Sequence, residues 1–256
     1  MAGEYDKSKY TKKERFQNFW YYNKLYIIFA VLVVAFLVLQ IHKTRNQPKI
    51  AFNVMFFNVD STVMTDDFRD DEGKAYVNGF MESMGIDTRK NTFDTQEHVN
   101  FSVFDGISES EYLTIQNMGA YVANGDLDVV IANDGAFEYI AYWEALEDLR
   151  SVLDAETLKK LEPHLYYVDQ AVIDQLAEYS YDDAEFWEQR PDGRDPDAML
   201  KPIPVGIYID KPTAEFKKNF NVRDLEGNVG GTALIGVYIN TKHPELCRAF
   251  IDYILE

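Results

Sequence analysis

The stretch GDLDVVIANDGAFEYIA, Gly125–Ala141, passes from a tight turn into an apolar run, stops at Asn-Asp-Gly and resumes with a helical pattern. Leu127–Ala132 is short and almost continuously apolar, as a strand buried on both faces is. "GAFEYIAYW", Gly135–Trp143, reads as a helix. A strand that hands over to a helix in this way is the unit of an α/β sheet, and ligands of such sheets sit at the carboxyl ends of parallel strands.

Upstream, "KIAFNVMFFN" (Lys49–Asn58) has the same strand character. Tyr76, Val77, Phe80, Met81 and Met84 come next at helical spacing, and "HVNFSVF" (His98–Phe104) alternates as a strand does. Ser108 and Glu111 form the S-x-x-E pattern of a capping box, predicting a helix to about Asn124 with Gly125 at its C-terminal end. Downstream, "SVLDAETLKKLEPH" reads as helix to Pro163, and a further helix is expected from Asp169 to about Tyr179. "LKPIPVGIYID" and "ALIGVYIN" are strands, separated by residues 211–232. The closing helix carries Cys247, Phe250, Ile251 and Ile254 on one stripe. Strands alternating with helices predict a three-layer α/β lobe with a mostly parallel sheet.

The chain has 256 residues, 46% of them hydrophobic and 14% aromatic, enough for a sizeable core. One cysteine excludes an internal disulfide framework. The net charge of −18 is uneven: residues 1–49 hold nine Lys/Arg against three Asp/Glu, leaving 16 against 40 beyond. So acidic a domain repels phosphate backbones and argues against nucleic acid as a partner.

The basic part precedes "LYIIFAVLVVAFLVLQI", Leu25–Ile41, and no charge falls between Lys24 and Lys43. Eighteen uncharged residues make a helix of roughly 27 Å, close to the hydrocarbon thickness of a bilayer. Phe19, Trp20, Tyr21 and Tyr22 stand where an interfacial belt belongs. Six Lys/Arg precede the span and Lys43, Arg45 and Lys49 come after it, which favours the N-terminus inside. "VLQIHKTRNQP" lacks a small-x-small cleavage site, so the segment reads as an uncleaved signal anchor. The expected organisation is a basic cytoplasmic tail (1–24), a transmembrane helix (25–42) and an extracellular α/β domain (49–256).

Three stretches carry a family resemblance. "MGAYVANGDLDVVIAN" (Met118–Asn133) is similar to a segment in which a helix ends in Ala-x-Gly-Asp-x-Asp before a strand. "PIPVGIYIDKPTAEFKKNF" (Pro202–Phe220) resembles a crossover segment, and "GVYINTKHPELCRAFIDYIL" (Gly236–Leu255) a returning strand, turn and helix. Together they resemble the extracellular solute-binding proteins of bacterial ABC transporters, the type 2 periplasmic-binding-protein fold. The resemblance implies a transport-associated protein with a small-molecule ligand and a transporter or other membrane complex as partner; such proteins in Gram-positive bacteria are usually lipoproteins, whereas this chain has a membrane helix. That family carries a second lobe between crossover and return strands, whereas here the gap is residues 211–232, too short for a domain. The chain therefore resembles one lobe, with a reduced or degenerate site. The alternative is an extracellular docking subunit without a ligand.

The strand-end rule selects Phe57, Asn58 and Asp60 after the first strand, and Asn133, Asp134 and Phe137 after "VVIA". The asparagines and aspartates can bond hydroxyl or amine groups, and Phe57 or Phe137 can stack on a sugar ring. Asn-Asp-Gly equally reads as a turn with Asp134 as helix N-cap. Trp143 and Trp187 read as core residues or as a carbohydrate surface. "DDFRDDEG" and "DGRDPD" lack the spacing of a calcium loop, so no metal or other cofactor is expected. His42, His98, His164 and His243 are scattered, no catalytic motif is present, and Cys247 reads as a packed thiol, so no enzyme is expected. The acidic loop Asp182–Asp197 stands just before the crossover strand, where it can fold over the half-site.

Overall fold

The computed structural model describes residues 11–46, 49–61, 71–87, 91–99, 109–176, 190–210, 216–217, 220–224 and 227–255. Contacts divide the chain into two units, Met1–Pro48 and Lys49–Glu256.

Among its described residues the first unit is one helix, α1 (Lys12–Asn46), longer at both ends than the expected span. A capping box starts it: Thr11 Oγ1 accepts from Glu14 N (3.4 Å) and Glu14 Oε2 accepts from Thr11 N (2.8 Å). None of its apolar window is buried, and it is the one helix among the described residues long and apolar enough to cross a membrane.

The second unit is α/β. In chain order it contains β1 (Lys49–Phe57), β2 (Val59–Ser61), α2 (Asp71–Ser83), β3 (Asn91–Val99), α3 (Glu109–Asn124), β4 (Val129–Asn133), α4 (Asp134–Tyr142), α5 (Leu149–Val152) and α6 (Ala155–Leu161). Next come β5 (Leu165–Asp169), α7 (Gln170–Leu176), β6 (Pro202–Tyr208), β7 (Phe220–Val222), β8 (Ala233–Val237) and α8 (Pro244–Leu255). Six strands form one sheet in the order β3-β1-β4-β8-β6-β5, and β2 pairs with β7 in a separate ribbon.

The sheet is mixed, which corrects the mostly parallel expectation. β1 is parallel to β3 and β4, but β8 is antiparallel to both β4 and β6, and β5 is antiparallel to β6. A parallel neighbour needs a crossover of a dozen or more residues that usually contains a helix. The connection from β6 instead turns back through the β2–β7 ribbon, so β8 returns in the opposite direction.

Alternation along the strands feeds two cores. Phe52, Val54 and Phe56 of β1 and Val129 and Ile131 of β4 pack with α2, α5 and α8 on one face. Met55, Phe57, Val130 and Ala132 pack with α3 and α4 on the other. The expected stripe of α8 is fully buried, including Cys247, whose thiol burial pushes up to about 12.

Other expectations shift in detail. β3 begins seven residues before the predicted strand, and residues 100–104 lie outside the described residues, as do Ser108 and Trp187. Register with β1 places β3, because its own sequence has little alternation. α7 begins at Gln170, one residue after the start expected at Asp169, and β5 occupies the stretch just before it, for which no element was expected. The helix read through Ser151–His164 breaks at Leu153, because Asp154 caps a new one by accepting from Thr157 N at 2.8 Å. Trp143 is half-buried against Tyr139.

Two of the resembling segments meet at the amino end of β4. Gly125 ends α3 in a Schellman motif, with its N–H donating to Val122 O and Asp126 N–H to Tyr121 O. Its φ is +64°, and a Cβ there would stand 2.2 Å from Asn240 O. The buried Asp128 carboxylate accepts from Asn53 N (2.8 Å) and Thr241 Oγ1 (2.5 Å), and His243 Nδ1 lies 3.1 Å away. Lys242 pairs with Asp126 at 2.9 Å. The Gly-Asp-x-Asp and Thr-Lys-His-Pro stretches are thus the two halves of one packing contact, away from the strand ends expected to hold a ligand.

Candidate functional site

The carboxyl ends of β1, β4 and β6 meet on one edge of the sheet, and the sequence-selected residues do gather there. Asn58 stands just after β1 in the left-handed region (φ +54°), which Asn tolerates better than most residues. Its Nδ2 donates to Asn133 Oδ1 at 3.0 Å. Asn133 Oδ1 also accepts from Ala136 N (3.1 Å), so Asn133 is the N-cap of α4 and Asp134 is its first residue. This corrects the Asp134 cap: Asn133 has the extended backbone a cap requires. Asn133 Nδ2 donates to Arg223 O (3.0 Å), and Arg223 N donates to Asn58 O (2.9 Å). The two asparagines thereby tie β1, β4 and the residue after β7 into one closed knot.

The aromatic candidates face inward. Phe57 is 2% exposed and Phe137 0%, so neither is placed to stack on a sugar ring. The Phe137 ring fills a pit made by Gly206 and Gly236, which oppose each other across β6 and β8. A Cβ at 206 would lie 2.3 Å from that ring and one at 236 3.0 Å from it. Asp60 lies opposite Asn221 in the β2–β7 ribbon.

Asp134 is exposed on the edge. Desolvation by the surrounding protein atoms raises the pKa of its carboxyl; Arg194 opposes that shift, while Glu138 and Asp210 add to it. This charged neighbourhood escaped sequence reasoning. Arg190 forks onto Glu138, both bonds 2.5 Å, and Arg194 lies 3.4 Å above the Tyr208 ring while contacting Asp210 at 3.3 Å. His164 Nδ1 is 2.9 Å from the same Asp210. Burial works against ionised Asp210, but His164 and Arg194 outweigh it and hold its pKa below the usual range. Burial raises the Tyr166 and Tyr208 phenols above their ordinary range.

Both arginines come from the acidic loop expected to cover the half-site. Residues 182–189 of it lie outside the described residues, and from Arg190 onward it packs on this edge. Tyr167 N donates to Gly193 O at 2.8 Å, and Gly193 approaches the Tyr166 ring so closely that a Cβ would stand 2.2 Å from it. The available signal was two arginines inside a run of carboxylates, a pattern that asks which acids they meet.

A cavity of about 320 Å³ opens beside this cluster. Asp210 at the end of β6, Phe220 and Asn221 of β7, and Gly231 and Thr232 before β8 wall it. It is built by the connection between β6 and β8. Among the described residues no group of three His, Cys, Asp or Glu is placed to hold a metal ion. The chain matches no family model, no curated protein and no solved structure.

Proposed function

We propose that the chain is a membrane-anchored extracytoplasmic solute-binding-like protein with a reduced ligand site, associated with transport. α1 is the anchor, with the basic N-terminus in the cytoplasm and the acidic unit outside; the Lys/Arg asymmetry around the span supports this orientation. The strands that resemble crossover and return are hydrogen-bonded neighbours, as expected if the connection between them has shrunk.

The observation that carries the reading is the cavity between β6, β7 and β8. It lies at the sheet edge where α/β folds hold ligands, and its volume is at the lower end of small-molecule sites. The Asn58–Asn133 knot belongs to the scaffold, so the site is displaced toward β6. That same knot, with a single lobe that cannot close, favours a second reading as a docking subunit of a membrane complex.

The test is a heat-denaturation screen of the full chain in nanodiscs against sugars, amino acids, peptides, small organic acids, oxyanions and calcium. A ligand at 100 times its Kd adds about 2.7 kcal/mol of stability. A saturable rise in midpoint supports a binding protein. No rise with any compound, from a cooperatively unfolding sample, overturns it in favour of the docking reading.

A further inference from the structure

Resting on the solute-binding reading, we infer that the β6–β7–β8 cavity takes a small organic monocarboxylate with an apolar body. Its walls divide by chemistry. The apolar lining residues include the buried Phe216 and Phe220, the half-buried Val222 and the exposed Val229. The polar groups are Asp210, Lys217, Asn221 and Thr232.

These four are not equally available. Asp210 is already met by Arg194 and His164. The Lys217, Asn221 and Thr232 side chains make no hydrogen bond or ion pair among the described residues. Among the described residues the cavity therefore offers an ammonium, an amide and a hydroxyl, and the one carboxylate lining it is engaged. All three free groups can donate, and the ammonium can only donate, which suits a ligand group rich in acceptors and negatively charged. A cationic ligand would meet Lys217 with like charge, and a purely hydroxylic one would leave the exposed ammonium to solvent.

The acidic character of the unit opposes an anion at long range. Charges beyond about 8 Å are largely screened at physiological salt, however, so groups in contact decide the outcome. Phe220, Val222 and Val229 then set the body: a branched or aromatic group of a few carbons fits the volume and finds apolar partners there.

Heat-denaturation midpoints of the full chain in nanodiscs provide the test, with 4-methylvalerate and benzoate as probes and 4-methylvaleramide and benzamide as neutral controls. The expected result is a saturable rise with the carboxylates and at least tenfold weaker binding of the amides. Lys217→Gln, at an exposed position, reduces the carboxylates to the level of the amides, and Val229→Trp abolishes both responses by filling the cavity. Equal binding of acid and amide, or carboxylate binding unchanged in Lys217→Gln, overturns the proposal. So does silence of the carboxylates while another compound of the screen binds, in which case the solute-binding reading survives. Silence of every compound ends both.

Discussion

Asn58 donates to Asn133 across the carboxyl ends of β1 and β4, and the same Asn133 oxygen caps α4. One buried amide thus serves two strands and a helix, and its own N–H group closes the circuit on Arg223 O. A pair of asparagines at strand ends suggests a ligand site, yet here each meets the other.

Asn133→Ala is therefore expected to damage folding rather than binding. Loss of the cap costs about 1 kcal/mol, and leaving Asn58 without this buried acceptor adds about 1–3. Urea unfolding should show the full loss, while Asn133→Ser, which retains a capping oxygen, should recover the cap component.

Gly206 and Phe137 are complementary in shape. Gly206→Ala should destabilise by about 1–3 kcal/mol through overpacking against the ring. Phe137→Leu frees room, so the double variant should be more stable than the sum of the singles by at least about 0.5 kcal/mol. Strict additivity in a double-mutant cycle would contradict the packing described.

Asp128 holds three donors at the amino end of β4, and Cys247 Sγ lies 3.7 Å from its carbonyl. Asp128→Ala leaves the buried Asn53 N–H without this acceptor and removes the part-buried Thr241 and His243 contacts, and should cost about 1–3 kcal/mol. Cys247, buried and with its thiol pushed up to about 12, should resist aromatic disulfide reagents at pH 7.5 in the native protein. Its labelling should accelerate in Asp128→Ala as local opening becomes more frequent.

Acid should loosen the strap before β6. Burial works against ionised Asp169, but N–H donors from Leu200, Lys201 and Ala171 outweigh it and lower its pKa. A carboxyl depressed in the folded state contributes stability that is present above its unfolded value of about 3.9 and lost as pH falls through the lower folded value. Asp210 has the same sign. Asp134, raised mainly by desolvation, has the opposite sign and costs stability once ionised. Urea midpoints between pH 6 and 3 should fall more steeply in the native sequence than in Asp169→Asn.

The strand–helix handover at Gly125–Ala141 was legible because β4 is buried on both faces and Asn133 caps α4 directly behind it. β5 was not: "LYYVD" has no alternation, and pairing with β6 makes it a strand. The antiparallel entry of β8 was equally hidden, since strand direction depends on where the β7 connection runs. Asn58, Asn133 and Asp134 were located correctly on the edge, but apolar or polar type alone does not reveal whether a side chain is already partnered. Arg190 and Arg194 come from acidic, turn-rich sequence that reads as solvated loop until the contacts with Glu138 and Tyr208 are seen.

The most direct measurement is hydrogen exchange of the full chain in nanodiscs with and without saturating 4-methylvalerate. Slowed exchange confined to residues 209–233, with residues 57–60 and 133–137 unchanged, is the expected result and places the ligand between β6 and β8. Slowed exchange at Asn58 and Asn133, or none anywhere, contradicts a displaced site.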